Sequence, residues 1–165
     1  KQQVEAIRNV IQSVDGVRAM HMLRTRRSGG DALVDVHILV DPRLSVSEGH
    51  YISETVQNRL VNEVPEVQDV LVHIDPEDDQ VSSPCVGLPS RKALLDRLAA
   101  FWDKIPGAEK RTRVTLHYLD GGIEVEVALP IGSVEDVHEA QRLSNALKSP
   151  AEAIDVVRAV NVYYY

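Results

Sequence analysis

The sequence predicts an α+β protein built from two tandem units, each with the order helix, strand, strand, helix, strand. Three observations carry this. Residues 32–40 alternate without a break, Val34, Val36, Ile38 and Val40 to one side and Asp35, His37 and Leu39 to the other, as a half-buried strand does. Residues 2–14 place Val4, Ile7, Ile11 and Val14 at helical spacing. After a stretch with three prolines at 76–89, the same order of elements returns.

In the first unit, Gly16 in the "VDGV" segment stops the opening helix. Residues 17–27 read as a strand, and the Ser-Gly-Gly turn at 28–30 joins it to 32–40 as a hairpin. Ser45 and Glu48 have capping-box spacing, opening a second helix whose buried stripe is expected at Val46, Ile52, Val56 and Leu60. Pro65 closes it, and residues 67–75 form the third strand. The expected boundaries are a first domain at 1–79, a linker at 80–89 and a second domain at 90–165. In the second, Leu94, Leu98, Phe101 and Ile105 mark a helix and 111–130 a hairpin around Asp-Gly-Gly. Residues 132–148 mark another helix and 154–164 a last strand. Laying residues 40–50 on 128–138 sets His50 over His138 and His37 over Val125. Each unit is a three-stranded mixed sheet with two helices on one face. Cores of that size gain from docking or dimerisation.

The 165 residues are 44% hydrophobic and 26% charged, the balance of a folded soluble domain. A net charge of −7 argues against a nucleic-acid partner. One cysteine, Cys85, excludes an intrachain disulfide and a cysteine-based zinc site. No glycine-rich phosphate loop follows a strand, and no nucleophile, base and orienting group assemble, so an enzyme is not expected. The chain lacks an apolar run of the ~20 residues that span a bilayer. It begins at Lys1 almost at once in helical rhythm and reads as a piece of a longer protein.

Four of the six histidines fall in the first unit: His21, His37, His50 and His73. His73 and Asp75 share one face of the third strand, His37 lies on the polar face of the second, and His21 lies in the first, where Met20 and Met22 blur the alternation. Paired strands bring three imidazoles and a carboxylate onto one sheet surface, and three or four such groups suffice for a divalent metal. His50 sits about 200° around its helix from Ile52 and faces another molecule rather than its own sheet. Any one histidine taken alone is an ordinary surface or hydrogen-bonded residue; four within neighbouring elements favour ligation.

The segments "GVRAMHMLRTRRSGG" (16–30), "VDVHILVDPRLSVSEGHYISETVQNRL" (34–60) and "VLVHIDPEDD" (70–79) resemble the cytoplasmic C-terminal domain of cation diffusion facilitator transporters. The resemblance covers residues 1 to about 79 and implies a ferredoxin-like fold similar to small metallochaperones. It implies a homodimer on the cytoplasmic side of the cell membrane, below a membrane domain of the same chain that exchanges Zn²⁺ or a related divalent ion for protons. It also implies a ligand set: His21, His37 and Asp75 in one centre, and His73 in a second, with Asp75 bridging and His50 supplied by the partner protomer. Zn²⁺ suits imidazole and carboxylate donors, with Co²⁺, Ni²⁺, Cd²⁺, Fe²⁺ and Mn²⁺ as alternatives. Ile74 departs from some zinc transporters, which have a polar residue there. A larger departure is the second unit, which the usual family domain lacks. It is expected to be a degenerate copy in which His117 and His138 bind no metal. Two rival readings stand beside this one: a purely structural dimerisation module, and a ferredoxin-like sensor of small molecules.

Overall fold

The computed structural model describes residues 2–165, which divide into two compact units, 1–81 and 82–165. The division falls inside the expected linker. Residues that follow it are tied to the second unit: the Ser83 backbone N–H donates to Asp120 Oδ1 (2.7 Å), Tyr118 donates its hydroxyl to the Pro89 carbonyl, and Leu88 packs against that unit's core. No helix is long and apolar enough to cross a membrane among the described residues.

The first unit runs α1 (Gln2–Gln12), β1 (Ala19–Ser28), β2 (Asp31–Leu39), α2 (Val46–Glu63) and β3 (Val67–Asp75). Its sheet has the order β1-β2-β3, antiparallel between β1 and β2 and parallel between β2 and β3. Ile7 and Ile11 of α1 and Ile52, Val56 and Leu60 of α2 form one core with Val34, Val36 and Ile38 of β2. The other face of the sheet is therefore free of these helices. Ser45 caps α2 as expected, its hydroxyl accepting from the Glu48 backbone N–H at 3.1 Å. Val46, expected in the stripe, is 92% exposed, because a residue just after the cap lies on the outer side of the first turn; Gly49 takes the inner place.

The second unit runs α3 (Arg91–Trp102), β4 (Arg113–Leu119), β5 (Gly122–Leu129), α4 (Val137–Glu152) and β6 (Val157–Tyr164), with sheet order β4-β5-β6 and the same mixture of directions. Two expectations need correction. The stripe of α3 is Leu94, Leu98 and Trp102, with Phe101 turned outward, and Trp102 Nε1 donates to the Leu147 carbonyl. The helix expected at 132–148 starts at Val137 behind the Asp136 cap and continues through Pro150.

The repeat also has a different register. The helix caps Ser45 and Asp136, the tight-turn glycines Gly16 and Gly107, and the strand pairs Met22↔His37 and Arg113↔Ala128 are all 91 residues apart. After α4 the interval is 90, as from Val67 to Val157. His37 thus corresponds to Ala128 and His50 to Gln141, not to Val125 and His138. The sequence alignment followed a shared proline and histidine, whereas the fold preserves buried positions: Val36 and Val127 face the cores, and an odd-numbered slip sends every side chain to the wrong face.

Candidate metal centre

The free face of the first sheet gathers the candidate ligands. On β2 the alternation that buries Val34, Val36 and Ile38 turns Asp35 and His37 outward. Parallel pairing of β3 sets His73 directly beside His37 and Asp75 beside Leu39. The His37 and His73 rings stack, with centroids 4.3 Å apart and planes 12° from parallel.

His21 reaches the same face through a bulge. The register of β1 jumps between Met20↔Ile38 and Met22↔His37, which leaves His21 as the extra residue. A bulged residue escapes strict alternation, so Met20 and Leu23 pack against the core while His21 is aimed at Asp75. That accounts for the blurred pattern around the two methionines.

Asp75 Oδ2 is the meeting point. It accepts from His37 Nδ1 at 2.9 Å and lies 3.1 Å from His21 Nε2. The three side chains are mostly shielded, at 9% exposure for His21, 16% for Asp75 and 23% for His37. A second group shares His37: Asp35, His37 and His73, with His73 Nε2 3.4 Å from Asp35 Oδ1. In each group one donor atom per residue lies within 4.8 Å of the others. Asp35 is a polar-face residue two positions before His37 and lies outside the ligand set expected from the sequence. Its link to His73 depends on the strand register, which the sequence does not state.

The residues fit a divalent ion. Two ligands held at about 2.0–2.1 Å in a tetrahedron stand roughly 3.3 Å apart, close to the 2.9 Å and 3.1 Å that separate Asp75 Oδ2 from the His37 and His21 nitrogens. Asp35 Oδ1 is buried with no hydrogen-bond partner, and an unpaired buried polar atom is costly unless something binds it. The Asp35 contact with His73 is a close approach without hydrogen-bond geometry.

His50 is elsewhere. It is 69% exposed on α2, with Nε2 3.5 Å from Glu54 Oε1, and α2 covers the opposite face of the sheet. It joins neither group within one chain.

The second unit has lost the set. At the places of His21, His37, His50, His73 and Asp75 stand Thr112, Ala128, Gln141, Tyr163 and Tyr165. Where Asp75 meets His21 in the first unit, Tyr165 donates its hydroxyl to Thr112 Oγ1 at 2.9 Å. Only Asp35 keeps a carboxylate counterpart, Glu126, whose Oε1 is 3.3 Å from His117 Nε2. His138 is exposed in the first turn of α4.

Comparison with known proteins gives a consistent assignment for the first unit. Residues 1–77 match the family model described as cation efflux protein, cytoplasmic domain. Metal tolerance protein C1 of Arabidopsis thaliana is 48% identical over 75 residues, 46% of this chain and 16% of that protein. The cation-efflux pump FieF of Serratia proteamaculans is 39% identical over 72 residues, 44% of this chain and 24% of the pump. The manganese efflux system protein MneP of Bacillus subtilis is 30% identical over 73 residues, 44% of this chain and 25% of that protein. The matched segment thus spans a quarter or less of these relatives. Among solved structures, the C-terminal domain of MamM is 29% identical, covers 46% of this chain and 96% of its own, and has a TM-score of 0.45.

Proposed function

We propose, from the match of residues 1–77 to the cation efflux cytoplasmic-domain family, that this chain is the metal-responsive, dimerising cytoplasmic part of a divalent-cation transporter. The observation that carries the reading is the convergence of His21, His37 and Asp75, with Asp35 and His73 beside them, on a sheet face that no helix of the unit covers. Imidazole and carboxylate donors without thiolate suit Zn²⁺, and a relative named for manganese efflux keeps the choice of ion open.

In this mechanism His21 and Asp75 supply donors from the shielded end of the cluster, and His37 from its middle. Asp75 orients both imidazoles before the ion arrives, which lowers the ordering cost of binding. His73 and Asp35, more open at the other end, hold a second ion or exchange with the first through His37. His50 of a second copy completes the outer centre, so that metal favours the closed homodimer. A ligand that prefers one arrangement of the dimer shifts the population towards it, and a membrane domain joined to the dimer responds. Proton exchange belongs to that membrane domain. Protons and metal compete for the same ring nitrogens, so binding weakens on acidification.

Calorimetric titration of the chain with Zn²⁺ tests this. Saturable binding is expected, and His73→Ala with Asp75→Ala should remove it. Undiminished binding in the double variant would overturn the assignment of these residues, and no binding by the parent chain would leave a structural dimerisation module.

A further inference from the structure

The second unit keeps a recess where the first has its metal cluster. Thr112, Arg113, Ala128 and Tyr165 line a cavity of about 420 Å³. By the repeat interval three of these residues replace His21, His37 and Asp75, and Arg113 replaces Met22, so the chemistry of the spot is inverted. Ala128 sets a methyl group where the His37 imidazole stands in the first unit, and lines the recess. Arg113 is the direct strand partner of Ala128 and therefore shares its face. It has no ion pair or side-chain hydrogen bond among the described residues, and Glu126, one row away on the same face, lies against His117. The hydroxyls are already ordered: Tyr165 donates to Thr112 Oγ1, which donates to the Ala128 carbonyl at 3.2 Å. Tyr165 and Thr112 are exposed, so the recess is open to solutes.

A guanidinium repels cations and matches the planar or tetrahedral oxygens of carboxylate and phosphate, which it binds through paired N–H groups. A phenol that can turn its hydrogen from Thr112 towards a ligand adds a neutral donor. We propose that this recess is a binding site for a small oxyanion, with Arg113 as the charged anchor and Tyr165 as the second donor. The two repeats then bind opposite kinds of ligand at the same place in the fold: a cation on imidazoles and carboxylate, an anion on guanidinium and hydroxyl. The site is independent of the metal reading, since it uses none of its residues. The net charge of −7 opposes long-range attraction, so affinity comes from the local contacts alone.

Amide spectra of the ¹⁵N-labelled 165-residue chain, titrated with inorganic phosphate or acetate against sodium chloride at matched ionic strength, test the proposal. Saturable shifts centred on Thr112, Arg113, Ala128 and Tyr165 are expected with phosphate, acetate or both, and which one saturates identifies the ligand as phosphate-like or carboxylate-like. Arg113→Gln should weaken binding about tenfold or more and Tyr165→Phe by a smaller factor, with the remaining spectrum unchanged. Shifts that do not saturate, that chloride reproduces, or that survive Arg113→Gln would overturn it.

Discussion

Asp75 Oδ2 accepts from His37 Nδ1 and lies 3.1 Å from His21 Nε2, so one oxygen lies against both imidazoles. Asp75→Asn keeps the size of the side chain but offers an amide in place of the anion. It should weaken Zn²⁺ binding ~10–100-fold in calorimetry. Asp35→Asn touches only the more open group with His73 and should leave the His21-containing group able to bind, reducing stoichiometry or weakening one of two resolved steps. Equal losses in the two variants would mean that all five side chains act as one centre. His50 separates the chain-internal ligands from the one assigned to a second copy. His50→Ala removes an exposed side chain that lies against Glu54, so the fold should persist. Small-angle scattering should show metal-induced compaction of the dimer in the parent chain and none in the variant.

Within single elements, one inserted residue or one turn decides what a strand can present. The bulge in β1 frees His21 from the alternation that sends Met20 and Leu23 to the core. In the β4–β5 hairpin, Asp120 and Gly121 both have positive φ, 45° and 70°, as a two-residue turn of this twist requires. Asp120 also binds the segment leading into the second unit. The Ser83 backbone N–H, and after it the Ser83 side chain, hold the Asp120 carboxyl below its usual range. A carboxyl whose folded value is depressed contributes its stabilisation in full above the ordinary value of about 3.9, and loses it as the pH falls through the folded value. The Ser83 amide resonance should therefore hold its hydrogen-bonded shift at neutral pH and lose it below about pH 4. Asp120→Asn, which tolerates the same backbone, should abolish that titration.

At the scale of the whole molecule, the chain has two separate cores, one around Ile11, Val36 and Val56 and one around Trp102, Val127 and Leu147. Trp102 is the sole tryptophan, lies buried in the second core and is pinned by its bond to the Leu147 carbonyl. Its fluorescence is thus a reporter of the second unit. Ligand that binds only the folded form raises stability by mass action, about 2.7 kcal/mol at a hundredfold excess over the dissociation constant. With all five metal-set residues in the first unit, Zn²⁺ should raise a circular-dichroism transition of the chain while leaving the Trp102 fluorescence transition where it was. A parallel shift in the fluorescence transition would place metal in the second unit.

Much of this was determined by local sequence. Apolar period two fixed the face of β2 and so the outward direction of His37, and β3 ran from Val67 to Asp75 as its pattern requires. The spacing of Ile52, Val56 and Leu60 fixed the buried side of α2 and so the outward direction of His50. The duplicated order of elements was also legible, because helix and strand periods survive when the histidines do not. What the sequence left open depends on pairs far apart in the chain. The bulge at His21 and the neighbours His37↔His73 are properties of strand register, which no single segment carries. Asp35 became a partner of His73 only through that register. The same reason explains the misplaced repeat: His138 aligned with His50 by residue type and carried Val125 onto His37, but Gln141 and Ala128 occupy the equivalent positions, because packing of the core, not likeness of polar residues, sets which positions correspond.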